Sequence, residues 1–258
     1  MSDRFNLEGK VALVTGGAGL IGSAICEALD EHGATVVVGE ADIDAGRALL
    51  DRLSDDAEVK ELDITDERSV EQCVQATRSE YGQIDVLVNS AYPRNENYGS
   101  PYEEISYADW RENIDLHLNA YFLSSHVVSK AMIDDGTNGS IINLGSTYGV
   151  QAPDFSIYDG TDMTSPVEYS AIKGGIINLT RYLASYLGRY EIRANVLSPG
   201  GVFDNQDPTF VDEYERRTML GRMAAPNDFK GPAVFLAADA SEYVTGHNLL
   251  VDGGWSNC

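Results

Sequence analysis

Val11-Ala-Leu-Val-Thr-Gly-Gly-Ala-Gly-Leu-Ile-Gly22 passes from a short apolar run, through a glycine-rich turn, into a helical pattern. Glycines in such a turn let the backbone approach a pyrophosphate. The first turn of the helix then offers unpaired N–H groups and the positive end of its dipole. Strand, glycine turn and helix in that order predict a dinucleotide-binding unit, with Gly16, Gly19, Leu20, Ile21 and Gly22 as cofactor-binding candidates.

Outward from this unit, apolar β-rich runs alternate with helical spacing. Val11–Val14, Thr35–Val38, Val86–Val88, Ile141–Leu144, Ala194–Leu197 and Leu249–Val251 read as buried strands, and Val59–Leu62 is a weaker one. Helical patterns begin at Ile21 and run through 66–80, 107–132, 169–188 and 226–238, the last opening at Pro226. Strands separated by helices imply right-handed parallel crossovers. The expected fold is α/β, a single Rossmann-like doubly wound parallel sheet of about seven strands flanked by helices. No linker or composition shift divides the chain, so residues 1–258 are expected to form one domain. The loop-like stretch 152–167 is the expected substrate-facing insertion.

Composition narrows the partners. The 258 residues hold 41 Asp and Glu against 18 Lys and Arg, a formal charge of −23, and only five of the cations are Lys. Such a field repels nucleic acid and anionic membranes, so neither is expected as a partner. An acidic, lysine-poor surface also suits a halophilic host, although an ordinary acidic protein would look the same. The N-terminus lacks a signal-peptide pattern, and Cys26, Cys73 and Cys258 form no disulfide framework, which fits a cytoplasmic protein. His32, His117, His126 and His247 make no metal-ligand spacing with those cysteines, so no metal site is expected.

Glu40 ends the second strand, where a carboxylate can accept hydrogen bonds from ribose hydroxyls and repels a 2′-phosphate. No Arg or Lys lies in 34–46 to receive that phosphate, so NAD is favoured over NADP. Asp63, after the third strand, has two readings, a contact to adenine or a cap of the next helix.

Tyr169 and Lys173 stand four apart and so share one helix face. An ammonium beside a phenol stabilises the phenolate, and is expected to lower a pKa that is ordinarily ~10. Such a phenol can exchange a proton with an alcohol or ketone near neutral pH. Ser146, at a strand end just upstream, can hold the substrate oxygen or merely satisfy backbone groups.

The chain resembles the short-chain dehydrogenase/reductase family along nearly its whole length. The matching segments are Thr15–Gly22, Leu62-Asp63-Ile64-Thr65, Val88-Asn89-Ser90-Ala91, Ile141–Ser146, Tyr169–Lys173, Ser198-Pro199-Gly200 and the tail Val244-Thr245-Gly246…Val251-Asp252-Gly253-Gly254. By that resemblance Ser146 holds the substrate oxygen, Tyr169 is the general acid/base, and Lys173 binds the nicotinamide ribose. Ile64, Asn89, Ala91, Pro199, Gly200 and Val202 would join Asp63 around the cofactor.

Three departures stand out. Leu20 occupies a position where the family commonly has Gly. Asn89-Ser-Ala-Tyr92 replaces Asn-Asn-Ala-Gly and brings Tyr92 and Arg94 to the nicotinamide mouth. His117 stands where the family's fourth catalytic residue, an Asn, is usual. Asn119 is two residues on, about 200° around a regular helix. A His could carry proton traffic to Lys173 or could simply pack in the core, and both readings stay open.

Ala91-Tyr-Pro-Arg-Asn95, with the insertion before Tyr169, resembles a narrower group tied to flagellin-glycan and legionaminic-type sugar biosynthesis. Tyr92, Arg94, Tyr148, Gln151 and Tyr158 are the substrate-binding candidates, a polar and aromatic mixture suited to a polyhydroxylated ligand. Asn95, Asp159 and the Phe203–Asn205 stretch are further candidates. The expected function is NAD-dependent interconversion of an alcohol and a ketone on a sugar, amino sugar or polyol. The alternatives are a ketone or 3-oxoacyl reductase and, less favoured, a nucleotide-binding protein without turnover. The resemblance also implies a homo-oligomer, a tetramer, with Ile176, Leu179, Leu183 and Leu187 facing either a partner or the sheet.

Overall fold

β1 (Val11–Thr15) alternates its side chains between two cores, with Leu13 in one and Ala12 and Val14 in the other. A strand buried on both faces must lie between two helical layers. A computed structural model describes residues 4–257 and shows that arrangement. Cys258 lies outside the described residues, and Cys26 and Cys73 are buried free thiols.

The other strands are β2 (Thr35–Glu40), β3 (Glu58–Glu61), β4 (Val86–Asn89), β5 (Ser140–Leu144), β6 (Arg193–Pro199) and β7 (Asn248–Val251). All seven run parallel in the order β3-β2-β1-β4-β5-β6-β7. The order reverses direction between β1 and β4, which opens a crevice beyond their C-terminal ends.

One face carries α1 (Leu20–Glu31), α2 (Ile43–Leu50) and α8 (Lys230–Ala237). The other carries α3 (Glu67–Tyr81), α5 (Ala120–Asp135) and α6 (Val167–Leu187). α4 (Tyr107–Asn113) leads into α5, and α7 (Pro208–Arg217) follows β6. Among the described residues no helix is long and apolar enough to cross a membrane.

Four differences from the sequence expectations have physical causes. The 107–132 helix is interrupted by a π-helical segment, Ile114–Asn119, whose wider turn re-aims the side chains within it. α2 is too short for a helical period to show in the sequence, although Asp42 caps it by accepting from Asp44 N and Ala45 N. α7 likewise carries a start signal, the Asp207 cap followed by Pro208. At Pro226 the chain forms only a 3₁₀ turn, and α8 starts at Lys230.

Ile176, Leu183 and Leu187 face the sheet within the core, so they offer no partner surface. The outward face of α6 carries Tyr182 and Tyr186 instead, stacked at 6.2 Å.

Candidate active site

The glycine turn leaves β1 at Gly16, whose φ of +62° and close approach to the β4 turn exclude a side chain. A Cβ there would stand 2.5 Å from Ala91 Cα. Gly22 faces the same constraint from inside the turn, since its Cβ would collide with the Gly16 carbonyl. The chain must therefore fold tightly here, and the first turn of α1 is brought to the crevice. Gly16, Gly19, Leu20, Ile21 and Gly22 all line a cleft of about 800 Å³.

Glu40 closes one end of that cleft. Its carboxylate accepts from Ala18 N at 3.0 Å and Ala41 N at 3.1 Å, which fixes it against the glycine turn. Asp63 and Ile64 line the same end. The Asp63 carboxylate accepts from Thr65 N and Thr65 Oγ1, at 2.9 and 2.7 Å, while the cap of α3 is Asp66. The capping reading of Asp63 therefore fails.

Ser146, Tyr169 and Lys173 line the opposite end. Ser146 Oγ accepts from Tyr148 N at 3.2 Å, and its hydroxyl also interacts with the Tyr169 phenol. Lys173 is buried, with Nζ donating to Leu144 O at 2.8 Å and standing 3.3 Å from His117 Nε2. Nζ also lies 5.6 Å from the centre of the Tyr169 ring and 5.5 Å from that of Tyr121.

The titration pattern differs from the sequence expectation. Desolvation raises the Tyr169 phenol above its ordinary pKa, with the Ser146 hydroxyl as the opposing influence. Burial also brings Lys173 down to about 7. A lysine so depressed is only part-charged at neutral pH, so it does not pull the phenol below 10 in the free protein. His117 is pushed well below 6.5, by burial first and then by Lys173, and stands neutral as an acceptor.

His117, not Asn119, is the residue turned towards Lys173. It is buried and packed edge-on against Tyr92 and Tyr121, each at 5.0 Å. Asn119 donates instead to Asp115 Oδ1 at 2.8 Å.

Ala91, Tyr92, Arg94, Tyr148, Tyr158, Pro199, Gly200 and Val202 complete the expected lining. Two residues expected there from the sequence fall outside it. Asn89 is wholly buried, with its amide bonded to Ser124, Ser125 and Asn143, so it braces β4 rather than touching a ligand. Gln151 sits past the turn after Ser146 and does not reach the cleft. Asn95, Asp159, Phe203 and Asn205 are absent from the lining as well, and only Tyr158 represents the 152–167 insertion.

Asp204 is the member of the Phe203–Asn205 stretch that lines the cleft, and the lining residues outside the sequence candidates include Tyr121, Gln206, Phe210 and Tyr214. Tyr121 had a signal, standing four residues after His117 and so on the same side of the helix. Phe210 and Tyr214 stand on α7, and Gln206 comes just before its Asp207 cap, a start signal that apolar periodicity does not show. Among the described residues no cluster of His, Cys, Asp and Glu is placed to hold a metal.

The cleft fits a dinucleotide. Its glycine floor admits a backbone-close phosphate, a carboxylate waits at one end, and a Ser, Tyr and Lys stand at the other. Fold and site thus define a nicotinamide-dinucleotide oxidoreductase. Comparison with known proteins agrees, and the chain belongs to the short-chain dehydrogenase/reductase family. Residues 16–256 match the family described as enoyl-(acyl carrier protein) reductase.

Post-translational flagellin modification protein A of Campylobacter coli is 36% identical over 256 residues, covering 96% of this chain and 99% of its own. D-threitol dehydrogenase of Mycolicibacterium smegmatis is 33% identical, covering 98% and 95%. A short-chain dehydrogenase from Leptospira borgpetersenii, solved with bound NAD⁺, superposes with a TM-score of 0.87 at 34% identity, covering 99% and 96%. A gluconate 5-dehydrogenase from Burkholderia cenocepacia, solved with NADP and tartrate, gives 0.85 at 29% identity, covering 99% and 98%. The chain is an NAD(P)-dependent enzyme acting on CH–OH groups.

Proposed function

We propose that the chain interconverts an alcohol and a ketone on a carbohydrate-type substrate, a sugar, amino sugar or polyol, with NAD as the preferred cofactor. One observation carries this reading. A single cleft joins Glu40 at one end to Ser146, Tyr169 and Lys173 at the other, under a wall of hydroxyl-bearing rings.

The bound cofactor would supply or accept the hydride. Gly16, Gly19 and the first turn of α1 would hold its pyrophosphate, Glu40 the adenosine ribose, and Lys173 the nicotinamide ribose. Ser146 positions the carbinol oxygen through its hydroxyl. Tyr169 gives or takes the proton at that oxygen, and Lys173 with His117 resupplies it. Tyr148 and Tyr158, joined through their hydroxyls at 3.2 Å, offer hydroxyl partners to a polyol and little to a long acyl chain. The relatives named for threitol and gluconate lend this substrate class support.

The test is a fluorescence titration with NADH and NADPH in low and in molar KCl, followed by an NAD-driven screen of sugars and polyols. NADH binding about tenfold tighter is expected, since a 2′-phosphate meets Glu40 and no cation. Equal or preferred NADPH binding would overturn the cofactor assignment and favour a ketone or 3-oxoacyl reductase. Binding without turnover on any alcohol would favour a nucleotide-binding protein.

A further inference from the structure

Arg94 lines the cleft with no carboxylate partner, in a chain that has acids in excess. At least ten of the 18 Lys and Arg are ion-paired, yet Arg94 makes no ion pair among the described residues. Three acids packed against its loop are held by amides instead. Asn95 Nδ2 donates to Asp109 and Glu112, Asn97 donates to Asp109, and Asn113 donates to the buried Glu168. The two carboxylates on α4 thus hold the loop through neutral amides and leave the guanidinium unpaired.

The loop is also fixed in place on both sides of Arg94. Tyr92 donates its hydroxyl to Tyr98 at 2.6 Å. Asn95 N donates to Asn113 Oδ1 at 3.0 Å, and Asn113 returns the bond to Asn95 Oδ1 at 3.1 Å. Asn113 then reaches Glu168, the residue before Tyr169. Arg94 itself lies 5.0 Å over the Tyr92 ring, and that ring meets Tyr169 edge-on at 5.9 Å. An aromatic face orients a guanidinium while leaving its N–H edge free for bidentate pairing with an oxyanion.

The remaining acids of the cleft are Glu40 and Asp63 at the far end, and Asp204 on the segment after β6. A net charge of −23 would repel an anionic substrate at long range. An oriented, unpaired arginine beside the reactive tyrosine offsets that repulsion at the one point where it matters.

We propose that the substrate is a polyhydroxylated anion whose carboxylate or phosphate group is received by Arg94. This rests on the carbohydrate reading of the site and narrows it to sugar acids or sugar phosphates. It also makes Arg94 the residue that separates them from neutral polyols.

The test compares matched triplets at constant ionic strength, each a neutral alditol, its aldonate and its 6-phosphate, in the gluco, manno and galacto configurations. Initial rates with NAD⁺ are measured for the native enzyme, Arg94→Gln and Arg94→Lys. In any configuration that turns over, one charged member is expected to exceed the alditol about tenfold or more in kcat/KM. Arg94→Gln should abolish that advantage mainly through KM, and Arg94→Lys should restore part of it. Which charged member leads tells carboxylate from phosphate.

An alditol that leads its triplet, with Arg94→Gln indistinguishable from native, overturns the proposal while leaving the carbohydrate reading intact. If nothing turns over, the carbohydrate reading falls, and thermal shifts in the presence of NADH decide the anion site separately. Gluconate or glucose 6-phosphate should then raise the native midpoint but not that of Arg94→Gln, with glucitol inert. Equal shifts in both proteins, or none, overturn the proposal.

Discussion

Lys173 Nζ stands 3.3 Å from His117 Nε2 with both side chains buried, so an imidazole faces the lysine amine inside the core. A neutral ring in that position accepts a hydrogen bond from the ammonium and stabilises the charged lysine. His117→Ala should therefore lower the Lys173 pKa further. The limb of the pH–kcat profile that follows lysine should move to lower pH, and kcat should fall by about tenfold or more. His117→Asn should recover most of the rate. A merely structural histidine would change stability and leave the position of the limb unmoved.

The same lysine leaves a mark on stability. Below about 7 it is charged in both the folded and the unfolded chain, and the fold bears the full desolvation cost. Between about 7 and 10.5 the unfolded chain holds a proton that the folded chain has shed, so stability from this group rises with pH. Lys173→Met should then gain most on the native protein below pH 7, and the gain should shrink towards pH 10.5. Chemical denaturation across that range is the measurement, and a constant difference would show that Lys173 is not depressed.

Asn113 joins the Tyr92–Tyr98 loop to Glu168. Asn113→Ala would strip the one hydrogen bond shown among the described residues for the buried Glu168 carboxylate, and two of the bonds that hold Asn95. A loss of about 1–3 kcal/mol is expected from the unpaired group. The freed loop should raise KM for substrate more than it lowers kcat, while NADH affinity stays near native. Calorimetry and initial rates separate these effects.

Much of this was legible in the sequence because the chemistry sits at strand ends. Gly16 to Gly22, Glu40, Ser146 and Pro199 each follow an apolar run that defines its own strand, so position along the chain gave position in the cleft. The failures came where helix geometry or packing decides. Asn89 looked like a lining residue, but its amide turned inward to Ser124 and Asn143. The direction of the Tyr169 shift is not legible in the spacing, which shows a nearby cation and says nothing of how deeply that cation is buried. The orientation of His117 depends on a π-helical segment that no spacing rule foresees.

Gly22→Ala tests the glycine turn. Its Cβ would strike the Gly16 carbonyl, so the turn must open and the N–H groups of α1 must move. NADH binding should weaken at least about tenfold, with destabilisation of about 1–3 kcal/mol. Gly188→Ala is the matched control. Its φ is −56°, and a Cβ there meets nothing within 4 Å. That change should be neutral or add about 0.4–1 kcal/mol by restricting the unfolded chain.

The surface charge makes the final prediction. At −23 the folded chain repels itself, and compaction concentrates that repulsion. Salt shortens the Debye length from about 10 Å at 0.1 M to about 3 Å at 1 M, which removes most of the repulsion. Surface pairs such as Lys10–Asp239 and Lys230–Glu31 weaken under the same screening, and each is worth only about 0–1 kcal/mol. The net term therefore favours the fold, and the melting temperature should rise steadily from low to molar KCl. A chain adapted to a salt-rich host would also need that KCl for full activity. A midpoint that stays flat or falls over this range would mean that local ion pairs outweigh the global field, and the halophilic reading would go with it.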